Sequence, residues 1–111
     1  MTAALEFGGR QCWGTNGAVE DIVGRMASVA SVRLGPASPI AQALGRESRE
    51  FWMGKIVNLG DVSDDARTLG ELISLARAEA LREGGYSEFG RAWLNGDLLT
   101  FATHLSLPAG P

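Results

Sequence analysis

AALEFGGRQCW, residues 3 to 13, is the stretch that decides between an all-helical chain and one with a sheet. Its Gly8-Gly9 pair sits between two short apolar runs, and a two-residue loop there places Phe7 opposite Arg10 and Leu5 opposite Cys12, the signature of a β-hairpin. Cys12 then shares a face with Leu5 and Phe7 and reads as a small core residue. A lone hairpin is marginal in water, so this one has to pack on something larger.

The period changes beyond Gly17. Val19, Ile22, Val23, Met26, Val29 and Ala30 recur at helical spacing while Glu20, Asp21 and Arg25 fall elsewhere, predicting a first helix over about residues 17 to 33. Asn16 or Thr15 supplies its cap and Gly35-Pro36 its stop. Ser38-Pro39 opens a second helix, since proline at the first helical position loses no hydrogen bond. Ile40, Leu44, Phe51 and Trp52 form its expected buried side, with an Arg46–Glu50 pair on the outside and Gly54 at its end.

KIVNL, residues 55 to 59, is β-branched and bounded by glycine, a short strand available to pair with the hairpin. Ser63 is the expected cap of a third helix whose first turn holds Asp64 and Asp65 and whose inner face carries Leu69, Leu72, Ile73 and Ala76, ending near Gly84-Gly85. Ser87 caps a fourth. Residues 98 to 107 fit both a helical period and an alternation of Leu99, Phe101, Thr103, Leu105 and Leu107, and Asn95-Gly96 is a turn signal before them. Helix is favoured there.

The fold class that follows is α+β and mainly helical: three to four helices packed with a small N-terminal hairpin and one further short strand. At 111 residues the chain is the size of a single globular domain, residues 1–111, and its 45% hydrophobic and 21% charged residues belong to a folded chain. No apolar run nears the roughly 20 residues of a membrane-spanning helix, and the start, MTAALEFGG, has neither a positive n-region nor a long h-region. With a single cysteine, this makes the cytoplasm the expected compartment. The net charge is -3 and the nine arginines are scattered from Arg10 to Arg91, so no basic stripe suited to nucleic acid exists.

Chemistry finds little support. Gly54-Lys55 contains the only lysine but lacks the upstream glycine and following Ser or Thr of a phosphate loop, and no GxGxxG occurs. His104 is the only histidine and would have to meet Cys12 or a serine across the fold to form a nucleophilic site. Asp61, Asp64 and Asp65 lack calcium-loop spacing. No catalytic residue, metal site or cofactor is therefore assigned.

The function expected by elimination is binding of another protein, with an immunity protein or antitoxin that neutralises a cognate toxin as one niche and a regulatory adaptor as another. A homo-oligomer stays open. The candidate binding residues are Trp52 and Met53, because aromatics and Met are enriched at interfaces, with the carboxylates Glu47, Glu50 and Asp61. Against that stands a core-anchoring role for Trp52 beside Phe51 at a helix end. The alternative class is a small enzyme or small-molecule-binding subunit whose site assembles from residues such as His104, Asp61 and Arg49.

Overall fold

Gly8 and Gly9 both adopt positive φ, 59° and 81°, the pair of left-handed residues that a tight hairpin turn demands and that glycine supplies without strain. They join β1 (Thr2–Phe7) to β2 (Arg10–Thr15), and the antiparallel register sets Phe7 against Arg10 and Leu5 against Cys12, as expected. The computed structural model describes residues 1–107. Their remaining elements are α1 (Asn16–Leu34), α2 (Pro39–Arg49), β3 (Ile56–Asn58), one 3-10 turn (Leu59–Asp61), α3 (Ala66–Glu83), α4 (Glu88–Asn95) and α5 (Asp97–Ser106).

The fold is α+β and mainly helical, and the expected extra strand joins the sheet. β3 pairs parallel with β1 on the side away from β2, giving the order β2-β1-β3. Leu5 has Cys12 opposite it on one side and Val57 on the other. All three are buried with Ala3 in one core cluster, together with residues of every helix. Because strand side chains alternate, this assigns one face of the sheet to the helices and leaves the other to be accounted for.

α1 follows its predicted stripe, burying Val19, Ile22, Val23, Met26 and Ala30, and the Oγ1 of Thr15 caps it by accepting from the Ala18 amide. α2 starts as expected, with Ser38 Oγ accepting from Ala41 N and Pro39 in the first turn. It ends sooner: Glu50 is the C-cap, so the helical period that placed Phe51 and Trp52 beneath Leu44 no longer applies. Phe51 is half-buried, whereas Trp52 and Met53 are 60% and 64% exposed, which corrects the core-anchoring role expected of Trp52. Arg46 and Glu50 form no ion pair among the described residues; Glu47 pairs with Lys55 instead. Gly54 does take positive φ, 88°, but in a turn beyond the helix, where its amide donates to Asn16 Oδ1 at 2.7 Å.

α3 is capped two residues later than expected. Asp65, not Ser63, is its N-cap, because the Asp65 carboxylate accepts both the Thr68 amide (3.1 Å) and the Thr68 hydroxyl (2.8 Å). Ser63 Oγ accepts the Asp65 amide in the turn before it, Asp64 lies in the same turn, and Asp61 closes the 3-10 turn further upstream. Those bonds to Thr68 hold the Asp65 carboxyl below its ordinary range.

The predicted fourth helix is two helices. The chain breaks at Gly96, and Arg77 of α3 satisfies the exposed end of α4 by donating Nε to the Leu94 carbonyl and Nη2 to Asn95 Oδ1, both at 2.6 Å. Residues 98–106 are helical throughout. Leu98, Phe101, Ala102 and Leu105 are buried, while Leu99, Thr103 and Leu107 of the alternating pattern are exposed. Burial of a helical stripe against α3 decided between the two periods.

Candidate functional site

The sheet face opposite the core carries Thr2, Ala4 and Glu6 of β1, Gln11, Trp13 and Thr15 of β2, and Ile56 and Asn58 of β3. All are exposed except Ala4, which is buried, and Glu6, which is half-buried. Ala4 is covered by its neighbours in register: Trp13 stands directly opposite on β2 and Ile56 directly opposite on β3. The result is an apolar row across the whole sheet, with Trp13 46% and Ile56 42% exposed at its ends.

The Trp13 ring is held along this face. Its Nε1 donates to Gln11 Oε1 at 3.1 Å, and Gln11 Nε2 donates to Glu6 Oε2 at 2.9 Å. At the other end of the row the 52–55 turn is tied down at three points: Gly54 N to Asn16 Oδ1, Ala4 N to the Lys55 carbonyl, and the Lys55–Glu47 ion pair. That turn presents Trp52 and Met53 outward just before Ile56 enters the sheet.

The five sequence-selected residues are therefore divided. Trp52, Met53 and Glu50 are exposed on one connection, and Glu47 is committed to holding that connection through Lys55. Asp61 is elsewhere, because β3 carries the chain about 10 Å along the sheet before the 3-10 turn. Sequence reasoning missed Trp13 and Ile56. The signal was present for Trp13: if Leu5 and Cys12 face the core, alternation sends residue 13 to the other side.

A hollow of about 350 Å³ opens beside Trp13, where α4 meets the edge of β2, lined among others by Gly14, Phe89, Trp93 and Asp97. Trp93 forms its floor. The Trp93 Nε1 donates to the Trp13 carbonyl at 2.7 Å, and the ring lies so close to Gly14 that a Cβ there would come within 2.7 Å of it.

His104 is exposed on α5 and borders a second hollow with Arg10, Cys12, Asp97 and Thr100; Asp61 and Arg49 do not border it. Cys12 is no nucleophile at neutral pH. Burial, reinforced by the negative charge of Asp97, pushes its thiol up to about 12 from 9.0. This has a measurable consequence. Between about pH 9 and 12 the unfolded chain has lost the Cys12 proton and the folded chain has kept it, so stability falls as pH rises, by up to about 1.4 kcal/mol per pH unit from this group. Cys12→Ala is expected to flatten that decline in urea titrations run at successive pH values. Tyr86, whose hydroxyl is raised by burial and by its bond to Asp21, contributes in the same direction and remains in the variant.

Arg25 draws three carboxylates together, bonding Asp21 at 2.8 Å, Glu79 at 2.9 Å and Glu83 at 3.1 Å. This cluster ties α1 to α3, and hydrogen bonding to Asp21 above all raises the guanidinium further above its already high range. Among the described residues, no three His, Cys, Asp or Glu side chains are grouped to hold a metal ion, and no helix is long and apolar enough to cross a membrane. Comparison with family models, curated proteins and solved structures finds no match to this chain.

Proposed function

We propose that this chain is a protein-binding module that docks its partner on the open face of the sheet. The observation that carries the reading is the Trp13–Ala4–Ile56 row, with Trp52 and Met53 exposed on the turn that leads into β3. Scattered exposed apolar residues are ordinary, but an aromatic ring set in an apolar row and held by a hydrogen bond, as Trp13 is by Gln11, suits an interface core, where few rotamers remain to be frozen on binding. Glu6 and Glu50 supply acidic groups around it, and the net charge of -3 favours a partner with a basic surface. Neutralisation of a cognate toxin, as by an immunity protein or antitoxin, is the narrower form of this reading. A cytoplasmic location accompanies it, supported by the unpaired thiol of Cys12.

The test is co-purification from the native host with a tagged chain, compared with the double variant Trp52→Ala/Ile56→Ala. One stoichiometric partner is expected, and the double variant is expected to lose at least about tenfold in affinity, the range of an interface hot spot, while remaining folded by circular dichroism. Undiminished partner binding by the double variant would place the interface elsewhere. Recovery of the chain alone, with turnover of a small substrate that disappears in His104→Ala, would replace the binding reading with an enzymatic one.

A further inference from the structure

We propose that the hollow between β2 and α4 is a binding site for a small organic cation with a trimethylammonium head. Three aromatic residues border it: Trp13 from the sheet, and Phe89 and Trp93 from α4. Among the described residues, Asp97 is the only ionisable side chain in its lining, and no lysine or arginine contributes. Arg91, the cation on the adjoining helix, is turned back to donate to the Tyr86 carbonyl at 3.0 Å. Aromatic faces attract cations through their quadrupoles, and a carboxylate at the same hollow complements the charge.

The polar chemistry of the rings narrows the ligand further. Trp93 spends its indole N–H on the Trp13 carbonyl and Trp13 spends its own on Gln11, so neither ring offers a donor to a ligand. What the rings themselves offer is apolar faces of negative potential, beside the hydroxyls of Thr2 and Thr15. That combination suits methylated nitrogen, which carries positive charge and presents no N–H, and disfavours an anion. The volume, about 350 Å³, lies within the range of small-molecule sites. Phe89 stands at the rim, 76% exposed. The hollow shares Trp13 with the docking face, but its test uses a small molecule and needs no partner, so the two readings fail separately.

The experiment titrates the ¹⁵N-labelled chain with choline and, in parallel, with 3,3-dimethylbutan-1-ol, the uncharged isostere with carbon in place of nitrogen. Choline is expected to move the indole N–H resonances of Trp13 and Trp93 saturably and to leave that of Trp52 in place. The alcohol is expected to bind about tenfold more weakly, the difference a cation–π contact makes. Phe89→Ala, which removes an exposed ring, is expected to keep the melting temperature and weaken choline about tenfold; Asp97→Asn is expected to weaken it and to reduce its salt dependence. Equal binding of the alcohol, or no saturable movement at about 100 mM choline, overturns the proposal. A trimethyllysine peptide that binds more than about tenfold tighter than choline also overturns it, by assigning the site to a peptide.

Discussion

Trp93→Ala is expected to lower the unfolding free energy by about 3 to 5 kcal/mol, the cost of deleting a large buried aromatic. Trp93 is 8% exposed, lies on Gly14, and donates its indole N–H to the Trp13 carbonyl at 2.7 Å. Its loss removes packing between α4 and β2 and leaves that carbonyl without its partner. Trp93→Phe keeps a ring but not the donor, and about 1 kcal/mol of the loss is then expected from the hydrogen bond alone. Trp52→Ala is expected to stay within about 0.5 kcal/mol of the parent, since it alters an exposed side chain. Urea unfolding monitored by circular dichroism separates the three variants, with the shift read in the midpoint at constant slope. A Trp52→Ala loss as large as that of Trp93→Ala would contradict the arrangement of the 52–55 turn.

Gly70→Ala is expected to destabilise by about 1 to 3 kcal/mol, although replacing glycine by alanine inside a helix ordinarily stabilises by about 0.5 to 1 kcal/mol. The sign is reversed by tertiary packing. α3 and α5 cross at Gly70, where a Cβ would sit 3.0 Å from the Ala102 carbonyl oxygen and 3.0 Å from the Ser106 amide nitrogen, both backbone atoms that cannot rotate away. Gly24, in the middle of α1, is the comparison: a Cβ there meets only Ser48 Oγ, at 3.5 Å. Gly24→Ala is therefore expected to follow propensity and raise stability by about 0.5 to 1 kcal/mol. Thermal unfolding of the pair gives opposite shifts if the α3–α5 contact is as close as described.

Both halves of the molecule show how far local rules carry. The hairpin, its register, the first helix and the stops at Gly35 and Gly84 were legible because each rests on interactions within a few residues: a turn that needs positive φ, a hydroxyl that caps an amide, an apolar stripe of fixed period. The candidate site was legible only in part. Trp52 and Met53 stood out by composition, but the sequence placed Trp52 in the core, because extending the helical period from Leu44 assumes that the helix continues. Asp61 was grouped with them by proximity in the chain, and β3 separates the two.

The sequence by itself determined the α+β class, the order of elements through α3 and the face of the hairpin that meets the core, since side-chain alternation and helical period follow from backbone geometry alone. Tertiary structure decided what depends on distant neighbours. α2 stops at Glu50, its last turn is followed by a connection that Asn16, 38 residues upstream of Gly54, holds by hydrogen bond. Residues 98–106 are helical because α3 offers a groove for Leu98, Phe101, Ala102 and Leu105. Ala4, Trp13 and Ile56 become one surface only when β3 adds to the far side of β1, and Trp13, Phe89 and Trp93 enclose a hollow only when α4 folds back on β2. Surfaces of this kind join residues far apart in the chain, and burial and pairing across the fold, not local propensity, bring them together.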